Sequence, residues 1–443
     1  DIDTIVICNK LSEKFYTDCI NSVKKINLNK CGLVDYSLRI NSTFGPLKFD
    51  KPNTVVIHLM IYDVRLHIDH VIASPFTCFD WERSRAKFGP SLKEIFPVGT
   101  LQYRDFLEVR RSLESYLNDL SKNIITYREY DFKSGDGFQR KKSLPLDKRH
   151  RGEYAYHIIK NTITNYMKMI NGENKSFEEK QIVDDLKKIF FQEKENFVEK
   201  YKLITSIKLK RESDFPKDTL KWTSLFLDKF QNKISKEWKG SIPIYFIRHF
   251  KTPLNDGKFL GQGRNPGIDI KNQYDNKFKK TSRIYSSELR RSIETAKSIF
   301  KTKNIIEDER LNEFNYGYAE GLTLTEMAKK YPNIISDWKK GLDPNFPSGE
   351  NTKDLSRRLK SFLVDLGKSI DEDQNNAVSI ITHNGVLRCL IGNYFNISKK
   401  DWYKIVIPHG EALEFLYFKN QFYPNIKRIL IRKIFMNLSY NQV

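Results

Sequence analysis

Several short stretches of this chain carry side chains able to move a phosphoryl group. In Ile244-Tyr245-Phe246-Ile247-Arg248-His249-Phe250-Lys251-Thr252-Pro253-Leu254-Asn255 an apolar strand delivers an Arg-His pair into a polar turn. An imidazole placed there can attack phosphorus, the adjoining guanidinium can neutralise the transferring group, and Thr252 and Asn255 can add neutral donors to its oxygens. On its own the pair reads equally well as a surface feature. Three later stretches change that balance. Ser286-Ser287-Glu288-Leu289-Arg290-Arg291 follows the short strand Ile284-Tyr285 and opens a helix, which sets Arg291 near a helix N-terminus, where anions are favoured. Leu311-Asn312-Glu313-Phe314, with Gly317 and Glu320-Gly321, offers a carboxylate in a glycine-bearing loop. Ala377 to Arg388 repeats the plan of buried strand, histidine, glycine turn and helix around His383.

Each of these residues also has a structural reading. Arg248 and Arg291 could be ordinary surface arginines, Glu313 could serve a salt bridge, and Asn255 could be only a turn residue. His409, in Ile407-Pro408-His409-Gly410-Glu411, reads as a turn histidine.

With these motifs in order, residues 242 to about 425 resemble the histidine phosphatase superfamily, the group that includes cofactor-dependent phosphoglycerate mutase. Phe346-Pro347-Ser348-Gly349-Glu350 resembles the Pro-x-Gly-Glu turn that precedes a long helix in many members. The stretch through Thr382-His383-Asn384-Gly385-Val386-Leu387-Arg388-Cys389-Leu390 is most similar to the bisphosphatase half of 6-phosphofructo-2-kinase/fructose-2,6-bisphosphatase. The resemblance implies a three-layer α/β domain in which His249 is the phosphorylated residue. By the same resemblance Arg248, Arg291 and a protonated His383 complete the phosphate pocket, and Glu313 gives a proton to the leaving oxygen. No metal or cofactor is expected. One position departs from the family pattern, which is usually Arg-His-Gly: the third residue here is Phe250. A glycine lets backbone approach the phosphate closely, so a phenylalanine either reshapes one wall of the pocket or swings aside.

The composition bounds the rest. A chain of 443 residues expects two or three domains, and the motifs occupy only the second half. We divide it into residues 1–237 and 238–443, with the seam at Trp238-Lys239-Gly240-Ser241. The net charge of +21 is spread over both halves instead of forming a basic arm, which fits a small anionic substrate as well as it fits nucleic acid. No Arg/Gly-rich tract, zinc pattern or aromatic RNP-like strand points to nucleic acid. The five cysteines, Cys8, Cys19, Cys31, Cys78 and Cys389, are odd in number and irregularly spaced. They fit a reducing, cytoplasmic setting, and no apolar run approaches a membrane span.

Residues 1–237 read as an α/β opening that turns helical. Thr4-Ile5-Val6-Ile7-Cys8 and Thr54 to Met60 suggest buried strands, with an amphipathic helix near residues 12–25 between them. Phe106 to Leu120 and Tyr154 to Ile170 carry apolar residues at helical spacing, and in residues 175–235 Ile182, Leu186, Ile189 and Phe190 share a face. A partnered sugar kinase is not expected here, because no Gly-x-x-x-x-Gly-Lys-Ser/Thr loop occurs. Ser134 to Ser143 reads as a solvated loop. Arg65-Leu66-His67-Ile68-Asp69-His70 reads as strand, so alternation sends the two histidines to opposite faces and disfavours a metal site. Asp147 to Glu153 reads as an exposed turn, with a phosphate-gripping cluster as its alternative.

Taken together, the expectation is a two-domain protein whose C-terminal half is a metal-independent phosphomonoester hydrolase. Its partner is a small phosphorylated metabolite of the sugar-phosphate kind. The alternatives are a phosphoglycerate mutase-type phosphotransferase and a catalytically silent domain that binds a phosphometabolite.

Overall fold

The computed structural model describes residues 2–45, 52–74, 84–96, 101–107, 114–133, 138–172, 177–190, 196–210, 214–269, 281–372 and 377–439. Two compact units emerge, Asp1–Ser84 with Asp105–Lys236, and Arg85–Arg104 with Glu237–Gln442.

The first unit opens with strands β1 (Ile2–Cys8), β2 (Ser37–Asn41) and β3 (Thr54–Asp63), joined as a parallel sheet in the order β1-β3-β2. The helix Glu13–Lys24 forms where the sequence expected one, with the Ser12 hydroxyl accepting from Phe15 N as its cap. A hairpin of β4 (Ile124–Asp131) and β5 (Phe138–Pro145) follows. Four further helices follow among the described residues: Lys148–Asn171, Glu179–Ile189, Phe197–Leu209 and Thr219–Glu237. Ile182, Leu186 and Phe190 are buried, as their shared face predicted.

Three local readings are corrected. Residues 64–73 are helix, Val64–Ala73, because the Asp63 carboxylate caps Leu66 N; His67 and His70 therefore share a face and both pack against Tyr62. Residues 148–153 open the helix Lys148–Asn171, capped by Asp147, which accepts from His150 N, instead of forming an exposed turn. Residues 138–143 belong to β5 instead of a loop; residues 134–137 lie outside the described residues, as does Cys78.

The second unit is built on a six-stranded sheet ordered β11-β10-β6-β9-β7-β8, with β6 (Ile242–Arg248), β7 (Thr281–Ser286), β8 (Ile306–Glu307), β9 (Ala377–Thr382), β10 (Ala412–Phe418) and β11 (Gln421–Pro424). Strands β6, β9, β7 and β8 run parallel, and β10 and β11 close one side antiparallel. The central strand β9 is buried at five successive residues from Val378 to Thr382, the near-continuous burial of a parallel strand covered on both faces. Leu355, Leu359, Phe362, Leu366 and Ile370 form the buried stripe of the long helix Thr352–Glu372. The parallel strands end together, so whatever follows their C-terminal ends is gathered into one crevice. Among the described residues no helix is long and apolar enough to cross a membrane.

Residues 85–104 fall on the other side of the division expected at 237/238, because they pack on this second unit. Phe96 is buried edge-on against Phe435, Tyr103 stacks on Trp238 at 4.5 Å, and Gln102 accepts from Ile426 N. Arg104 donates to the Asn425 carbonyl and to its side-chain Oδ1. Phe96 ends the short helix Leu92–Ile95, and Gln102, Tyr103 and Arg104 stand together at the start of the short helix Tyr103–Leu107; elements of four or five residues carry no periodicity that would announce them. A fragment beginning at residue 238 lacks all of them and should melt below the same unit in the intact chain. In the intact chain Phe96→Ala should destabilise that unit by about 3–5 kcal/mol, the usual cost of deleting a buried phenylalanine ring. An unchanged denaturation midpoint for Phe96→Ala would remove this strap from the core.

Candidate active site

His249 sits immediately beyond β6, its N–H donating to the Thr382 carbonyl at the end of β9. Its Nδ1 lies 2.6 Å from the carbonyl oxygen of Phe250. A carbonyl only accepts, so Nδ1 carries the proton and Nε2 holds a lone pair. Burial first, then Arg291, Arg248 and His409, hold the His249 imidazole well below its ordinary value. It is therefore neutral and nucleophilic at neutral pH.

Phe250 does not line the site. Its ring is buried in a cluster with Ile247 and Ile299, while its N–H donates to Thr295 Oγ1. Of the two outcomes left open by the departure from Arg-His-Gly, the ring has swung aside into the core.

Arg248 is braced by the turn that precedes β10. Its Nη1 donates to the Ile407 carbonyl, its backbone N to the Glu411 carbonyl, and its own carbonyl accepts from Gly410 N. The Nε–H is buried without an acceptor among the described residues. Burial pulls the guanidinium down to about 10, so it remains a cation at neutral pH.

Arg291, at the start of the helix Arg290–Phe300, is fully buried. Its Nη2 and Nη1 donate to the carbonyls of Gly261 and Arg264, and its Nε donates to His383 Nδ1 at 3.2 Å. That last bond settles the state of His383. An Arg N–H can only donate, so Nδ1 of His383 is a lone pair and the proton lies on Nε2, 2.6 Å from Ser287 Oγ. His383 is thus neutral, and burial followed by Arg291 pushes its titration well below the ordinary value. The protonated His383 expected from the family resemblance is not the form found; both of its nitrogens are committed to protein. Its ring still lies 5.1 Å from that of His249.

Glu313 lies beyond β8 in the loop after the short 3-10 turn Glu309–Leu311. Its Oε1 accepts from Phe314 N at 2.8 Å and from Gly385 N at 2.9 Å, which leaves Oε2 for chemistry. A Cβ on Gly385 would stand 2.3 Å from that oxygen, so only glycine admits the carboxylate here. Asn255 turns its Oδ1 back to Thr252 N and Oγ1, shaping the loop after His249; only its amide Nδ2 is left for a ligand.

Other parts of the pocket had no sequence signal. Glu320, seen only as a loop carboxylate, accepts from the backbone N–H groups of Gln262, Gly263 and Arg264 and so holds the loop whose carbonyls hold Arg291. Gly261, at φ +61, leaves room for that carboxylate, which a Cβ would meet at 1.9 Å. Arg358 pairs with both oxygens of Glu350 and donates to the Glu313 carbonyl. Ser287 was legible as part of a motif but without a role. Among the described residues no group of three or more His, Cys, Asp or Glu is placed to hold a metal ion.

Parallel strands whose ends present a neutral histidine, two buried arginines and a caged glutamate form a pocket suited to an oxyanion. The sequence profile of the histidine phosphatase superfamily (branch 1) matches residues 244–425, and this part of the chain belongs to that superfamily. Among curated relatives, 2,3-bisphosphoglycerate-dependent phosphoglycerate mutase 2 of Gloeobacter violaceus is 28% identical over 30% of this chain and 62% of its own length. Phosphoserine phosphatase 1 of Hydrogenobacter thermophilus is 30% identical over 24% of this chain and 51% of its own. The 6-phosphofructo-2-kinase/fructose-2,6-bisphosphatase of Arabidopsis thaliana is 31% identical over 31% and 18%. The chain thus spans less than two thirds of the length of each of these relatives.

Because Phe250 packs in the core, Phe250→Gly should lower the stability of this unit by at least about 3–5 kcal/mol, the cost of removing a buried phenylalanine. The turnover of the molecules that remain folded should be unchanged. A large fall in turnover with the unfolding midpoint unmoved would mean that the ring touches substrate.

Proposed function

We propose that the C-terminal unit is a phosphohydrolase acting on a small phosphorylated metabolite through a phosphohistidine at His249. The observation that carries this reading is the pairing of a buried, Nδ1-protonated His249 with the unsatisfied Nε–H of Arg248. A buried cationic donor left without an acceptor is costly, and an oxyanion beside the nucleophile removes the cost.

In the first step the Nε2 lone pair of His249 attacks phosphorus and the bond to the leaving oxygen breaks. Arg248 and Arg291 offset charge on the phosphoryl oxygens, while Oε2 of Glu313 gives its proton to the departing alkoxide. In the second step water attacks phosphorus, the N–P bond breaks, and Glu313 takes the water's proton. His383 acts on this course through Arg291, holding the guanidinium by its Nε. Two arginines supply the positive charge that a divalent ion would otherwise bring, so the reading calls for no metal. The relatives include a mutase and phosphatases. Transfer to a second hydroxyl would yield an isomer of the substrate in place of inorganic phosphate.

Quenching the protein after brief exposure to a labelled phosphomonoester should leave the phosphoryl group on His249, and His249→Ala should lose about 10³-fold or more of its hydrolysis. Wild-type rates in His249→Ala would remove the nucleophile from this assignment. Glu313→Gln should slow a sugar phosphate by about 10²- to 10⁴-fold and p-nitrophenyl phosphate much less, since p-nitrophenolate scarcely needs a proton to leave. Equal slowing of both substrates would take the acid role away from Glu313. His249 resists protonation, so the acidic limb of kcat/KM should lie below the ordinary imidazole value of about 6.5. A limb above that value would show a nucleophile that titrates like an exposed histidine.

A further inference from the structure

A third imidazole lies at the nucleophile. The ring of His409 stands 5.1 Å from that of His249, as near as the ring of His383 on its other contact. His409 occupies the turn before β10 that clamps Arg248, and Gly410, at φ +73, lets that turn close. Its Nδ1 lies 3.1 Å from the His249 carbonyl oxygen, so Nδ1 bears the proton and donates it there. Its Nε2 is therefore a lone pair, and it makes no hydrogen bond to any described residue. The contrast with His383 decides the matter. His383 has spent one nitrogen on Arg291 and the other on Ser287, whereas His409 keeps one ring nitrogen for a ligand.

We propose that His409 is a proton-carrying ligand of the phosphoryl group: as the oxyanion enters, Nε2 takes up one proton from solvent and donates it to a phosphoryl oxygen beside His249. The proposal rests on the reading of this pocket as a phosphomonoester site and adds a ligand that the family motifs do not mark.

The groups facing His409 are Arg248, His249 and Lys251 at the end of β6 and Arg291 on the helix Arg290–Phe300. In the empty pocket burial, followed by the Arg248 charge, lowers its titration to about 4. The ring is then neutral at neutral pH. A bound dianion reverses that environment, because an opposite charge within a few ångströms favours the protonated ring. Between the titration of the empty site and that of the occupied one, ligand affinity must then fall as pH rises, by about tenfold per pH unit for one coupled proton. Above the occupied-site value the dependence disappears.

Sulfate is a suitable probe, being a tetrahedral dianion that itself takes up no proton near neutral pH. The measurement uses full-length protein carrying His249→Asn, so that the nucleophile cannot contribute a proton of its own, with binding followed by calorimetry between about pH 5 and 7. Sulfate affinity should fall with rising pH about tenfold per unit more steeply than in the protein carrying both His249→Asn and His409→Asn. Asparagine can still donate an amide N–H to the residue-249 carbonyl but has no titrating nitrogen, so it preserves the clamp and deletes the proton. His409→Gln in the same background presents a permanent donor nearer the Nε2 position, and should bind sulfate with the reduced slope while keeping its affinity at the upper end of the range. Equal slopes with and without His409, or a loss in His409→Asn that is the same at every pH, would overturn the proposal and leave His409 a backbone clamp; the phosphatase reading would survive either result. Wild-type protein that binds no sulfate at any of these pH values would overturn the pocket reading and this inference with it.

Discussion

The buried guanidinium of Arg291 is the group on which the pocket is assembled. It is fully enclosed, and three of its N–H bonds run to different parts of the chain: the Gly261 and Arg264 carbonyls and the Nδ1 of His383. A buried cation is tolerated only when its donors are satisfied and its charge is offset. Both conditions draw in other residues. Glu320 gathers the amides of residues 262–264 so that the loop carbonyls face the guanidinium, and its carboxylate charge favours the Arg291 cation. The bond to His383 fixes that ring's tautomer, which in turn aims its Nε2–H at Ser287 beyond β7. Sheet, loop and helix are thereby tied together by charge-assisted bonds.

Around this centre the electrostatics have one direction. Arg248 and Arg291 hold their charge although burial works against it, and His249, His383 and His409 are all kept neutral by burial and by those arginines. The pocket therefore combines fixed positive charge with unprotonated imidazole, the combination that a nucleophile attacking a phosphate dianion needs. It is also an environment whose balance shifts when a dianion arrives. Proton uptake at a ring with an unused lone pair is the expected response of such a site.

The position of Phe250 shows how a fold absorbs a departure from its usual motif. The residue after the nucleophile contributes its backbone to the loop, where its carbonyl fixes the His249 tautomer and its N–H binds Thr295. The side chain is free to point elsewhere, and here the apolar layer of Ile247 and Ile299 receives it. The glycine of the usual pattern is one solution to crowding near phosphate, and turning the side chain into the core is another.

Much of this was readable in the residues themselves. Strand-end placement of His249 and His383, the helix-start position of Arg291 and the glycine-loop setting of Glu313 follow from apolar runs that stop at a polar residue, because local pattern sets local structure. The stripe from Leu355 to Ile370 and the buried run of β9 are legible for the same reason. Local pattern failed where two periods compete over a short span, as at residues 64–73, where a single Asp63 cap decided for helix. It was silent on pairings between distant segments: the strap of residues 85–104 on Trp238 and Phe435, Glu320 beneath the 261–264 loop, and the Arg291 bond that makes His383 neutral. Protonation and tautomer depend on which donors and acceptors meet in space, and burial sets how strongly charge is felt. Residue types and spacing therefore determined which chemistry this chain could attempt, while only the tertiary contacts decided which imidazoles keep a nitrogen available for it.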